Sequence, residues 1–163
     1  MEVNNLMAAA RAIMQSTKYC MLMTHAPTGA INARLMQPFP PDHDLTLWFG
    51  TSPRSGKVRD LRANPHATVV YQDNARVAYV TLQGTARLES DLNLRKNHWF
   101  EGWKLFWPDG PEGDDYILIR FMPEQIEIMN FADNIAPPPY GLMPAALTRR
   151  GDQWVLGEHY REG

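Results

Sequence analysis

The chain has 163 residues, 16 basic against 18 acidic for a net charge of −2, with 44% apolar and 21% charged side chains. Against about 150 residues per domain, this predicts one domain over 1–163 and excludes a mainly disordered chain. With no excess of positive charge and no apolar run of about 18 residues, neither nucleic acid nor a membrane is an expected partner.

Val3, Leu6, Met7, Ala10, Ile13 and Met14 recur at spacings of three and four, which predicts an amphipathic helix over Val3–Met14. The apolar run Tyr19–Thr24, a break at Pro27, Thr28 and Gly29, and the stretch Ala30–Gln37 read as a hairpin. Cys20 lies in its first strand and is the one cysteine of the chain. It therefore has no intrachain disulfide partner, its expected place is the core, and the expected compartment is a reducing cytoplasm. Asp44–Gly50 alternates, with Leu45, Leu47 and Phe49 opposite Asp44, Thr46 and Trp48, as in a strand buried mainly on one side. A short helix around Val58 and Leu61 should end at Asn64 and Pro65.

Ala67–Gln72 and Arg76–Leu88 read as strands joined at Asp73 and Asn74, with Gly84 marking a bulge or bend. A helix is expected from Asp91 to about Trp103, and a loop over Trp107–Gly113. Strands follow over Tyr116–Met122 and Gln125–Phe131. Residues 132–163 read as a carboxy-terminal arm or hairpin, extended over Pro137–Pro144 and turning at Arg149–Asp152 toward Trp154, Val155 and Leu156 on the other subunit. The fold class is mainly β: a small barrel of about six or seven antiparallel strands with flanking helices.

The stretch from Trp48 to Val58 carries the chemistry. Ser52 is an expected N-cap with Pro53 at the first helical position. The free amides of that helix start, the hydroxyls of Thr51 and Ser55 and the cations of Arg54 and Lys57 together suit a phosphate. Gly50 to Lys57 is not a nucleotide-binding P-loop, because five residues separate Gly50 from Gly56 and Val58 follows the lysine in place of a Ser or Thr. Spacing alone leaves open an ordinary capped helix with a solvated basic end.

Phe49, Thr51, Ser55 and Lys57, with Arg34, Leu35 and Met36 in an earlier strand and Asn64–Pro65 before the next, resemble the flavin-phosphate pattern of the pyridoxamine 5′-phosphate oxidase-like split barrels. Phe106–Gly110, Asp114, Asp115, Pro123 and Glu124 are similar to the later half of that family's general stress protein branch. The resemblance covers residues 5–131. It implies an FMN-binding split-barrel homodimer with flavin at the subunit interface. Ser55 and Lys57 would lie on the phosphate with Thr51, Gly50 and Gly56 beside it, and Arg34, Leu35 and Met36 along the ring. It further implies a flavin-dependent oxidoreductase acting on a small molecule or, alternatively, a non-enzymatic flavin-binding or flavin-sensing stress protein. FAD, deazaflavin and haem are lesser cofactor alternatives.

The oxidases proper have an arginine before the phosphate lysine, where this chain has Gly56, and a lysine five positions after the strand arginine, where it has Phe39. The Trp and Arg arrangement that closes on the substrate phosphate is not matched in Gln153–Gly163. Pyridoxamine phosphate oxidase activity is therefore not expected. The last of the later strands reads Glu127, Ile128, Met129, Asn130 where many stress-branch relatives carry an aromatic.

Taken residue by residue, Arg34 also suits a surface salt bridge. Trp99, Trp103, Phe106 and Trp107 suit either a packed contact or a flavin cover. The five histidines have no metal-ligand spacing, and no side chain stands out as a general acid or base, so neither a metal ligand nor a catalytic residue is named.

Overall fold

The computed structural model describes residues 2–136 and 143–157. In chain order it contains α1 (Val3–Ser16), β1 (Cys20–His25), β2 (Ile31–Met36), β3 (Leu47–Thr51), α2 (Gly56–Ala63), β4 (His66–Asp73), β5 (Ala78–Glu89) and α3 (Leu92–Asn97). Two 3-10 turns (Glu101–Leu105, Gly110–Glu112) precede β6 (Ile117–Asn130), β7 (Ala145–Arg150) and β8 (Gln153–Leu156).

All eight strands join one antiparallel sheet in the order β2-β1-β4-β5-β6-β7-β8, with β3 also on β6. The 14-residue β6 organises it. One edge pairs along its length with β5; the other is divided, Ile117–Phe121 pairing with β3 and Gln125–Ile128 with β7. Beyond β2 the chain turns to β3, where the Phe39 N–H donates to the Trp48 carbonyl at 3.0 Å. The sheet thus curls around its apolar face, as the split-barrel expectation requires.

The inward face carries Leu22, Val69, Tyr71, Val80, Leu82, Phe121 and Ile128, all fully buried, and α1 adds Leu6, Ala10, Ile13 and Met14 at helical spacing. Each Leu, Ile, Val, Phe or Met side chain of this set contributes about 1.5–3 kcal/mol by leaving water. A second cluster lies on the other face of β3, where Phe39, Trp48, Tyr116 and Leu118 pack with Trp99, Phe100, Trp103 and Trp107.

Several expectations are corrected. The strand read from Asp44 begins at Leu47, because Leu45 takes a positive φ of 65° in a turn that returns its N–H to the Asp42 carbonyl. It is buried on both faces, since the aromatic cluster covers the Trp48 side. The N-cap of α2 is Ser55, not Ser52; residues 52–55 form a turn closed by the Ser55 N–H on the Ser52 carbonyl at 3.1 Å. The helix expected from Asp91 to Trp103 is two pieces. Asp91 caps α3 by accepting from the Leu94 N–H, but the backbone leaves helical geometry at His98 before the turn at Glu101.

The strands expected on either side of Pro123 are one bent strand. Opposite Pro123 stands Gly84, at the register shift of β5 against β6, where the signal for a bulge is met. The sheet therefore has eight strands rather than six or seven: the stretches flanking Pro123 merge, β7 pairs with β6 of the same chain, and β8 pairs with β7. The extended arm expected over Pro137–Pro144 lies largely outside the described residues.

A Cβ on Gly84 would overlap the Met122 carbonyl oxygen and stand 2.9 Å from the Pro123 Cα, both backbone atoms that cannot swing away. Gly84→Ala should therefore destabilise the protein by about 2–3 kcal/mol and lower Tm by about 5–10 °C in a thermal unfolding scan, with Gly29→Ala (φ 88°, open surroundings) costing less.

Candidate functional site

Strand alternation divides β2 into two faces. Ile31, Ala33 and Leu35 face solvent, while Asn32, Arg34 and Met36 are half-buried. The register sets Thr24 of β1 opposite Asn32 and Leu22 opposite Arg34, so Thr24, Asn32 and Arg34 gather near Asp60 of α2. Asp60 is fully buried. Its Oδ2 accepts from Thr24 Oγ1 at 2.9 Å and from Asn32 Nδ2 at 2.8 Å, with Arg34 Nη2 at 3.8 Å. Arg34 Nη1 donates to Thr24 Oγ1 at 2.7 Å. The threonine hydroxyl thus accepts from the guanidinium and donates to the carboxylate. These bonds, from Asn32 first and Thr24 next, hold the Asp60 carboxyl below its ordinary range against the opposing effect of burial.

The second part of the site is the passage from β3 to α2. Thr51 ends β3 and is buried; its hydroxyl accepts from Lys57 Nζ at 3.1 Å and shares a 3.2 Å hydrogen bond with the Ser55 hydroxyl. Ser55 caps α2 without a side-chain bond to its amides, and the first turn of α2 carries no acidic residue. Burial lowers the Lys57 pKa, and the neighbouring positive charge of Arg34 lowers it further. Arg34 is itself lowered by burial, an effect opposed by Asp60. Two half-desolvated cations, two hydroxyls and a helix amino terminus therefore share one locality, where Asp60 is already engaged by Thr24, Asn32 and Arg34 at Oδ2 and lies 4.0 Å from Arg59 Nε at Oδ1. Such a set has the donors and charge that suit a dianionic oxygen group.

Of the residues singled out from sequence, the structure brings Arg34, Thr51, Ser55 and Lys57 together. Leu35 and Met36 follow Arg34 along β2, Leu35 exposed and Met36 packed on the core. Gly56 is the exposed first residue of α2, and a Cβ there would meet nothing closer than Arg59 Nη2 at 3.7 Å. Gly50 faces the other way. The pleat turns it toward the aromatic cluster, where a Cβ would stand 2.5 Å from Trp103 and 2.6 Å from Tyr116. Trp99, Trp103 and Trp107 pack around Tyr116 of their own chain, while Phe106 remains 67% exposed. Cys20 is a core residue, its thiol pushed up to about 12 by burial. Arg34 makes a partly buried network rather than a surface pair.

Thr24, Asn32 and Asp60 were not legible as site residues. Asn32 lies two residues before Arg34 on the same strand face, and that alternation was the available signal. Thr24 and Asp60 needed the hairpin register and the packing of α2.

A bent antiparallel half-barrel with a cationic pole beside its third strand is a split barrel in architecture. The chain belongs to the pyridoxamine 5′-phosphate oxidase like family, whose model matches residues 6–148. It is 26% identical to general stress protein 26 of Bacillus subtilis over 92 residues, 54% of this chain and 65% of that protein. The matched stretches span between 50% and 65% of the curated relatives' lengths. Among solved structures, a protein related to general stress protein 26 from Clostridium acetobutylicum superposes with a TM-score of 0.70 at 22% identity, over 81% of this chain and 92% of that one. A pyridoxamine 5′-phosphate oxidase-related, FMN binding protein of Nostoc punctiforme superposes with a TM-score of 0.67 at 17% identity, over 96% of this chain and 98% of that one.

Because the Asp60 carboxyl is lower in the folded protein than its unfolded value of about 3.9, its contribution is complete above that pH and is lost as pH falls through the folded value. Urea unfolding at stepped pH should show wild-type stability falling below about pH 4 more steeply than that of Asp60→Asn. At pH 7, Asp60→Ala should cost about 2–3 kcal/mol.

Proposed function

We propose that the protein binds FMN at the Arg34–Thr51–Ser55–Lys57 pole as a homodimer and works as a flavin-dependent oxidoreductase on a small molecule. The supporting observation is the geometry of the pole: Lys57 Nζ stands 3.1 Å from the Thr51 hydroxyl, which pairs with the Ser55 hydroxyl at the start of α2, and the positive charge of Arg34 on β2 adds to that of Lys57 and lowers its pKa. Such an arrangement is unfavourable by itself and is relieved by an anion. The donor set fits a phosphate monoester: Lys57 and the Thr51 and Ser55 hydroxyls would hold it, with the first amides of α2 adding their dipole. Arg34, its position set by Thr24 and Asp60, would direct hydrogen bonds to the polar edge of a flat ring lying along Leu35 and Met36. FMN when bound supplies the redox-active ring; the residues bind, orient and partly desolvate it.

The outward face of β2 supports the dimer. Ile31 is 65% exposed and Leu35 64% exposed on an edge strand, next to Met21 and Met23 of β1. Exposed apolar residues on an unpaired edge invite a second copy of the chain. Two positions support a departure from pyridoxamine phosphate oxidase activity. Phe39 is buried and stacked on Phe100, with centroids 4.5 Å apart, so it offers no cation to a substrate phosphate, and Gly56 offers no side chain at all.

A non-enzymatic flavin-binding or flavin-sensing role is a second reading. It is favoured by the engagement of the pole's one carboxylate, Asp60, with Thr24 and Asn32, which leaves it poorly suited to proton transfer. Steady-state oxidation of reduced nicotinamide by the flavin-loaded protein separates the two, turnover supporting the enzyme and its absence the sensor.

Titration of FMN into wild-type protein and Lys57→Ala, followed by flavin fluorescence, should give binding weakened about 30- to 100-fold in the variant. Riboflavin, which lacks the phosphate, should bind both proteins equally. Absence of FMN binding by folded wild-type protein overturns the assignment. Sedimentation should report a dimer for wild type and a monomer for Ile31→Asp.

A further inference from the structure

The five histidines are scattered along the sequence, but the sheet brings two of them together. In the β1–β4 ladder Met23 stands opposite Thr68 and Thr24 opposite Ala67. The next step of that register sets His25, the last residue of β1, opposite His66, the first of β4. Thr24 and Ala67 are buried; alternation along each strand puts the two histidines on the other, outward face, where both are exposed. Directly opposed residues of an antiparallel pair have Cβ atoms about 4.5–5.5 Å apart. Two imidazoles at that separation can each turn a ring nitrogen to one ion at the usual bond length of about 2.0–2.1 Å.

Both rings are uncommitted. Among the described residues neither imidazole has a hydrogen bond, an ion pair or a ring contact, whereas His98 Nδ1 lies 2.9 Å from the Leu94 carbonyl oxygen and its ring stacks on Trp48. The backbone at both positions is held: His25 is laddered to Ile31, and the His66 N–H donates to the Asn64 side-chain oxygen at 3.0 Å. A donor pair fixed at its backbone loses little beyond side-chain rotation on binding.

The pair opens onto a groove of about 630 Å³ that crosses the sheet from β1 to β7. Thr68, Gln83, Gln125 and Glu124 line it, Glu124 as its one carboxylate. Arg149, also in the lining, stands 3.8 Å from Asp44 and donates to the Gly151 carbonyl at 3.1 Å, so its charge is partly offset. Among the described residues no group of three His, Cys, Asp or Glu side chains gathers to hold an ion. The site therefore supplies two protein donors and leaves the other positions to water, for which the groove has room.

This donor set selects the ion. Mg²⁺ and Ca²⁺ take oxygen ligands, whereas neutral imidazole suits the late first-row metals. Affinity at a given nitrogen site rises along that row to Cu²⁺ and falls again at Zn²⁺. We propose that His25 and His66 form a binding site for a late divalent transition-metal ion, Cu²⁺ in preference to Zn²⁺, with one ring nitrogen from each histidine and water at the remaining positions. The site uses no residue of the cationic pole and does not depend on flavin binding.

Calorimetric titration of CuCl₂, ZnCl₂ and MgCl₂ into the wild-type protein in its own oligomeric state tests it. Cu²⁺ should saturate at one ion per chain and bind more tightly than Zn²⁺, and Mg²⁺ should give no saturable heat. His25→Ala and His66→Ala should each weaken Cu²⁺ by at least about tenfold, since even substitutions outside the ligand set cost about 10- to 100-fold in metal affinity. His43→Ala, which removes an exposed imidazole outside the pair, should leave Cu²⁺ affinity unchanged. With one equivalent of Cu²⁺, electron paramagnetic resonance should show coupling to two imidazole nitrogens in wild type and to one in either pair variant. The proposal is overturned if wild type does not saturate at one ion per chain, if either pair variant binds Cu²⁺ as wild type does, if His43→Ala loses as much as they do, or if wild type shows a single coupled nitrogen.

Discussion

Asp60 is the constraint on which the rest of the site depends. A carboxylate with no exposure to water must draw on its surroundings, and the partners of its Oδ2 come from separate parts of the chain: Thr24 from β1, Asn32 and Arg34 from β2, while its Oδ1 accepts no hydrogen bond among the described residues and stands 4.0 Å from Arg59 Nε. One buried negative charge therefore fixes α2 against the first hairpin. It also sets where Arg34 points, because the guanidinium reaches the carboxylate through the Thr24 hydroxyl. With α2 fixed, its first turn brings Lys57 to Thr51 at the end of β3. The carboxylate neutralises part of the charge gathered there and leaves a positive remainder, which is what an anion-binding pole requires.

The bend of β6 has a comparable role in the sheet. By carrying β3 on one half and β7 on the other half of the same edge, the strand turns a flat ladder into a curled one and sets Thr51 beside α2. The bend is possible because Gly84 and Pro123 face one another: the glycine admits the close approach of the opposing backbone, and the proline needs no hydrogen bond for an N–H it lacks. Position Gly50 is constrained from the opposite side. Trp103 and Tyr116 occupy the space a side chain would fill, so the aromatic cluster and the cationic pole are built on alternate residues of one strand.

The aromatic cluster gives the region beyond β2 its chemical character. Phe39, Phe100 and Trp103 fill the region beyond β2 with ring surface where a phosphate-bearing substrate would need a cation. The α2 pole is thus cationic, and the space past Met36 is apolar.

Sequence by itself determined the local elements and the chemistry available to them. Apolar periodicity marked α1 and the strand cores and Gly84 marked the bulge, because period is a property of consecutive residues, while Thr51, Ser55, Lys57 and Arg34 were singled out by the family resemblance, spacing alone leaving an ordinary capped helix open. It misread features set by partners far along the chain. The burial of both faces of β3 depended on an aromatic cluster about fifty residues later, the continuity of β6 through Pro123 on the glycine opposite it, and the capping of α2 by Ser55 on the turn at 52–55. Asp60 was the largest omission: nothing in its neighbours says that it is buried. Only tertiary packing could decide that, since the free energy of burying a carboxylate is offset by donors that the fold, and not the local sequence, brings to it.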